Sequence, residues 1–145
     1  MATAVQVVID CADPAELAKF WSAALHYQVE PPPPGSESWE AFLEQRGVPR
    51  ERWNDASAIV DPDGVGPRIF FQRVPEPKTV KNRVHLDIHV GDRSMSAEER
   101  EALAAAEVER LVGLGARIVA ADVTDPDIGG RWTVLQDPEG NEFCV

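Results

Sequence analysis

Cysteine is scarce: Cys11 and Cys144 are the two in a chain of 145 residues, too few for a disulfide scaffold. Basic residues are also in short supply, 14 lysines and arginines against 25 aspartates and glutamates, a formal net charge of −11. A chain this acidic is repelled by phosphate backbones and anionic lipid, so neither nucleic acid nor a membrane surface is an expected partner. Long apolar runs are absent, and none approaches the roughly 18 residues of a membrane helix. Met1 to Asp10 has neither a basic leading segment nor a small-residue cleavage pattern, which points away from export and toward the cytoplasm. What remains, 43% hydrophobic and 27% charged, is the mixture of a soluble globular domain. The length suits one such domain.

Punctuation divides the chain into elements. Ala4 to Cys11 is rich in β-branched residues. Asp13-Pro14-Ala15-Glu16 follows, with an N-cap, a proline at the first helical position and a capping-box glutamate. Leu17, Phe20, Trp21 and Ala24 recur at helical spacing, which predicts a helix ending near Leu25 with one face buried. Tyr27 to Glu30 reads as a short strand. Pro31 to Pro34 is stiff and extended, and residues 35–55 form a long polar connection. Within it Trp39, Phe42 and Leu43 have the spacing of a short helix, and the aromatics there, Trp53 included, either cover a site as a lid or anchor the loop. Ser57 to Val60 and Arg68 to Val74 are strands flanking the turn Asp61-Pro62-Asp63-Gly64. Arg83 to Val90 is the next strand. Ser96 to Glu99 is a second capping box, opening a helix whose buried stripe is Ala104, Val108, Leu111 and Val112. Gly113 and Gly115 stop it. Arg117 to Ala121, Trp132 to Gln136 and Glu142 to Val145 are strands, the last two joined by Asp137-Pro138-Glu139-Gly140.

The halves match in order and punctuation. Each reads strand, capped helix, strand, then two strands joined by an Asp-Pro-acid-Gly turn. Gln6 to Asp10 running into Asp13 parallels His85 to His89 running into Asp92. Two similar supersecondary units, about 4–74 and 83–145 with a linker at 75–82, complete one domain spanning 1–145.

Three stretches carry a resemblance: Asp13 to Trp21, Lys78 to Asp87, and the closing Asp137-Pro138-Glu139-Gly140-Asn141-Glu142-Phe143-Cys144-Val145. In these the chain resembles the vicinal oxygen chelate superfamily, which includes glyoxalases, bleomycin-resistance proteins and extradiol dioxygenases. More narrowly, it is similar to glyoxalase-like domain proteins. The resemblance implies an α+β fold of two βαβββ modules whose curled mixed sheets enclose a cleft. It also implies a homodimer and a small-molecule ligand.

Strand parity indicates which side chains face that cleft. Val84, Leu86, Ile88 and Val90 form an apolar face, and His85, Asp87 and His89 form the opposite one. Gln6, Val8 and Asp10 oppose Val5, Val7, Ile9 and Cys11. Arg68, Phe70 and Gln72 share a face, and Glu142 and Cys144 oppose Phe143 and Val145. The predicted ligand-binding set is therefore Gln6, Val8, Asp10, Phe70, Gln72, His85, Asp87, Glu142 and Cys144. His85 and Asp87 are the catalytic candidates, or else hydrogen-bonded structural residues. His26 reads as a partner of the first helix's C-terminal dipole. Lys78, Lys81 and Arg83 make one basic island, either an anion clamp or a solvated linker.

The resemblance places the family's metal ligands at Gln6, Gln72, His85 and Cys144. Both carboxylates of a glyoxalase-type set are missing there, and an amide cannot serve as the proton-transfer base. Cys144 as a reactive thiol needs a base or cationic neighbours; a small buried hydrophobe is the alternative. Two functions follow. The first is small-molecule binding at a degenerate metal site with no resident cofactor, and the −11 charge leans toward a cationic ligand. The second is a lyase or isomerase using a divalent metal on a non-standard ligand set, which leaves enzyme status open.

Overall fold

The computed structural model describes residues 1–127 and 129–145. The chain divides into two compact units, Met1–Pro77 and Lys78–Val145.

The first unit contains strand β1 (Val7–Cys11), helix α1 (Pro14–Leu25), strand β2 (Gln28–Val29), helix α2 (Trp39–Gln45), a short 3-10 turn at Arg50–Arg52, and strands β3 (Ala56–Val60) and β4 (Ile69–Arg73). The sheet order is β1-β4-β3-β2. β1 runs parallel to β4, with Val8 opposite Phe70 and Asp10 opposite Gln72; the other pairs are antiparallel. Alternation follows the sequence: Ile9, Cys11, Ile69 and Phe71 turn toward α1, while Val8 and Asp10 are exposed on the opposite face. α1 buries Leu17, Ala18, Phe20, Trp21 and Ala24, and Phe20 meets Trp21 edge-on at 5.4 Å.

The start of α1 differs in one detail from its predicted capping box. The Asp13 carboxylate accepts from the Glu16 N–H at 3.2 Å, but the Glu16 side chain turns to Lys19 instead of back to the cap. Asn54 supplies the rest of the cap from far along the chain. Its amide donates to Asp13 at 2.8 Å and its carbonyl oxygen accepts from the Ala15 N–H at 2.9 Å. His26, expected as a dipole partner, is the C-cap itself, in left-handed conformation at φ 57°. The long connection is anchored: the Trp39 indole donates to the Glu30 carbonyl at 2.7 Å and the Trp53 indole to that of Val48 at 2.8 Å. An indole N–H leaving water needs such an acceptor, so both rings are tied to the loop's own backbone.

The second unit holds helix α3 (Ala97–Leu114) and strands β5 (Arg117–Thr124), β6 (Arg131–Gln136) and β7 (Glu142–Cys144), in the antiparallel order β5-β6-β7. The predicted strand Arg83 to Val90 is not regular. One parallel bridge joins Asp87 to Cys144. It is made by the Ile88 N–H to the Cys144 carbonyl at 2.8 Å and the Cys144 N–H to the Leu86 carbonyl at 3.0 Å. β7 spans three residues, and the pairing is confined to residues 86–88 beside it. With residues 86–88 counted beside β7, the second unit repeats the first, a parallel edge segment, a helix, and three antiparallel strands.

The capping box of α3 is complete, Ser96 accepting from Glu99 and Glu99 from Ser96. The helix stops at Gly115, whose φ of 117° suits glycine. Its predicted stripe is buried at one point. Leu111 is fully buried, Ala104 and Val108 are half-buried, and Val112 is exposed. Leu111, Ala116, Leu135 and Phe143 form the core. The two Asp-Pro turns share one device. Asp61 accepts from the N–H groups of Asp63, Val65 and Gly66. Asp137, wholly buried, accepts from those of Glu139 and Asn141 and from the Asn141 amide.

Candidate functional site

The second unit's sheet turns Trp132 and Val134 of β6, and Glu142 and Cys144 of β7, to the face opposite Leu135 and Phe143. Odd-numbered residues of the bridged segment, His85, Asp87 and His89, join them. With Lys81, Arg131, Ile88 and Val145 they line a pocket of about 540 Å³. That volume lies within the range of small-molecule sites, about 300–1,000 Å³.

At its centre His85 Nε2 lies 3.2 Å from Asp87 Oδ1. Period two places both side chains on one face, and the bridge then sets Asp87 beside Cys144. Ligand atoms of His85, Asp87 and Cys144 all fall within 4.8 Å of one another. Burial pushes the Cys144 thiol pKa up, the Asp87 charge pushes it further, Lys81 pulls it down, and a hydrogen bond to Asp87 favours the protonated form. The net shift is upward, opposite to what a nucleophilic cysteine requires.

Glu142 is the best-held carboxylate of the face, its side chain 12% exposed. Burial alone would raise its pKa. The Asn82 N–H at 2.8 Å and the Lys78 ammonium at 3.1 Å, with help from Gln136, outweigh burial and hold it at about 2. This pair divides the basic island. Lys78 straps its own segment to β7, Lys81 reaches the pocket, and Arg83 is exposed and not part of the lining.

In the first unit, Gln6 precedes β1, and its Oε1 accepts from Arg68 Nη1 at 2.9 Å. Arg68 also forks onto Glu30, with Nε 2.8 Å from Oε1, and lies over the Phe70 ring at 5.3 Å. Val8 pairs with Phe70, and Asp10 with Gln72, one step further along the same face. Register gives a further result. Cys144 pairs with Val134, two residues before its strand's last, and Phe70 pairs with Ala58 in the same way. Phe70, and not Gln72, is thus the first unit's counterpart of Cys144.

Sequence reasoning missed Trp132, Val134 and Arg131. Parity applied to β6 would have found the first two. Arg131 depends on Glu101 of α3 at 3.3 Å and Asp122 at 3.2 Å, and no local pattern announces that.

The glyoxalase-like domain family matches residues 6–145. The chain belongs to that family. Solved structures agree on the fold. A glyoxalase/bleomycin resistance protein/dioxygenase family enzyme from Burkholderia phytofirmans PsJN superposes with a TM-score of 0.61 at 14% identity, covering 97% of this chain and 94% of that one. A mutant of the fosfomycin resistance protein FosX from Listeria monocytogenes, in a complex with Mn(II) and 1S,2S-dihydroxypropylphosphonic acid, gives 0.60 at 12% identity, covering 99% and 90%. TioX from Micromonospora sp. ML1 gives 0.51 at 16%, covering 99% and 96%. No curated protein matches the sequence. Like these neighbours, the glyoxalase-like protein has the vicinal oxygen chelate fold, an α+β arrangement with one four-stranded and one three-stranded sheet. Among the described residues no helix is long and apolar enough to cross a membrane.

The family implies a divalent metal, and the donors test that implication. Gln6 fits poorly, because its oxygen is taken by a guanidinium whose charge repels a cation. Gln72 lies off the register of Cys144. His85, Asp87 and Cys144 offer one nitrogen, one oxygen and one sulfur, a mixed set suited to a zinc-like ion once the thiol loses its proton. The set of four strand positions therefore does not fit, whereas three donors within the second unit do.

Proposed function

We propose that this glyoxalase-like protein binds a small molecule on the open face of its second unit, at a degenerate form of the family's metal site. We further propose that its two units act together as one glyoxalase-like domain, a reading supported by the family match over residues 6–145. The observation that carries the binding function is the 540 Å³ pocket with apolar walls and a His-Asp-Cys centre. Trp132, Val134, Ile88 and Val145 offer apolar surface, and few polar groups fix orientation. His85 Nε2 lies against Asp87 Oδ1 at 3.2 Å, and the imidazole offers its other ring nitrogen, Nδ1, to a ligand's polar group. The protonated Cys144 thiol is a weak donor beside it.

One observation favours a second reading, a metal-dependent lyase or isomerase. Asp87 restores a carboxylate to a set that lacks one at the family's positions. His85, Asp87 and Cys144 would hold the ion, which when bound would supply Lewis-acid stabilisation of a substrate oxygen. Elemental analysis of protein purified without chelator separates the readings. The binding reading expects well under one divalent metal per chain. A stoichiometry near one, lost in His85→Ala, would replace it with the lyase reading.

A further inference from the structure

Glu142 lines the pocket, yet both its oxygens are engaged. Oε1 accepts from Gln136 Nε2 at 3.4 Å and Oε2 from the Asn82 N–H at 2.8 Å, and the Lys78 ammonium lies 3.3 and 3.1 Å from the two. From the sheet side the carboxylate ends a row of side chains. Arg117 of β5 donates to Gln136 of β6 at 3.1 Å, and Gln136 is the cross-strand partner of both Arg117 and Glu142. On its other side it holds the segment that carries the pocket's wall. That segment is joined to β7 through the backbone of Leu86 and Ile88, both bonded to Cys144. Continued backward in register from Asp87 and Cys144, a parallel ladder would set His85 opposite Glu142. The Glu142 side chain reaches past that position to Asn82 instead, and Arg83 and Val84 stand exposed between the two attachments. The Lys78 ammonium also meets the Val80 carbonyl, which gathers residues 78–82 into one strap with Lys81 inside it.

We infer that Glu142 is a positioning residue for the pocket: through Lys78 and the Asn82 N–H it anchors the strap, and so fixes His85 beside Asp87 and Cys144 as part of an ordered wall. The inference rests on the small-molecule reading above and names the residue that prepares that site. His85 lies between the two attachments, three residues after Asn82 and one before Leu86. A span held at both ends keeps few conformations, whereas a span held at one end regains backbone freedom. A wall ordered in advance lowers the entropy lost when a ligand binds, so the anchor acts on affinity without contacting the ligand.

Isotope-labelled full-length protein is compared with Glu142→Ala, Lys78→Met and Lys78→Arg. The Asn82 amide should exchange about tenfold faster in Glu142→Ala, which removes its charged acceptor, and about threefold faster in Lys78→Met, which frees the strap's other end. The His85 ring resonances, assigned with His85→Gln, should move in both variants, while the amides between β5 and β6 keep wild-type protection. Lys78→Arg keeps the charge and should match wild type. Lys78→Met leaves β7 unaltered and decides the matter if Glu142→Ala fails to fold. Benzyl alcohol is titrated while the Trp132 indole resonance, assigned with Trp132→Phe, is followed. It should bind about threefold more weakly to Lys78→Met, because the ligand must then order the wall. Lys78 is outside the pocket's lining, so that loss cannot come from a missing contact. If the Asn82 amide stays protected in both variants, or exchanges faster while the His85 ring and the benzyl alcohol affinity stay unchanged, the positioning role is overturned and the pocket reading stands. If benzyl alcohol leaves the Trp132 resonance unmoved in wild type, the pocket reading falls, and the Asn82 and His85 signals still decide whether Glu142 holds the wall.

Discussion

At the scale of single residues, Glu142 and Cys144 show how one strand face gives two groups opposite electrostatics. Both are partly buried, yet Glu142 accepts from Lys78 and the Asn82 N–H, whereas Cys144 lies beside the negative Asp87. The Glu142 pKa falls from 4.5 to about 2 in the folded protein. A depressed carboxylate stabilises the fold fully above its unfolded pKa and loses that contribution as pH falls through the folded value. Glu142→Gln should therefore cost about 1–3 kcal/mol at pH 7. The gap to wild type should close between about pH 4.5 and 2, read from urea unfolding across pH. The raised Cys144 pKa predicts slow labelling by a thiol reagent at pH 7, rising in alkaline solution. Asp87→Asn should accelerate labelling at neutral pH by removing the charge and the acceptor that hold the proton. A Cys144 rate at pH 7 matching an unhindered cysteine would contradict this assignment.

At the scale of elements, helix starts and turns are where local sequence and structure agree most closely. Ser96→Ala removes the side-chain half of the α3 capping box and should cost about 1 kcal/mol. Asn54→Ala should destabilise by a similar amount, because it strips two hydrogen bonds from the start of α1. Thermal denaturation of the two variants checks both. Asp137 stands apart from Asp61 in being wholly buried. Asp137→Ala leaves the Glu139 and Asn141 N–H groups without their acceptor and should cost more than Asp61→Ala, whose donors can turn to water. Equal losses in the two variants would show that burial of the second turn does not matter.

At the scale of the whole molecule, the two units repeat one topology with unequal interiors. The first packs Trp21, Phe20, Leu17 and Phe71 between helix and sheet; the second has Leu111, Leu135, Phe143 and Ala116. The first turns of α3 carry alanines where α1 carries aromatics, and Leu111 is the one α3 residue buried. Hydrogen exchange should therefore be faster at 97–104 than anywhere in α1, since amides over a thin apolar contact open locally. Phe143→Ala, which empties the centre of the smaller core, should cost about 3–5 kcal/mol. The sequence by itself determined the order of elements in the two halves, the N-caps Asp13 and Ser96, the paired Asp-Pro turns, and the parity that gathers His85, Asp87, Glu142 and Cys144 on one face. Periodicity, capping and turn chemistry act between residues a few positions apart, so they are legible in order. Only the tertiary structure decided that Lys78 is a strap while Lys81 lines the pocket, that Arg68 occupies Gln6, and that Phe70 matches Cys144 in register. It also decided that the segment at 83–90 forms a single bridge. Each of these joins groups distant in sequence, through a hydrogen bond or a strand register that local pattern does not specify, and the charge a ligand meets depends on those long-range pairings.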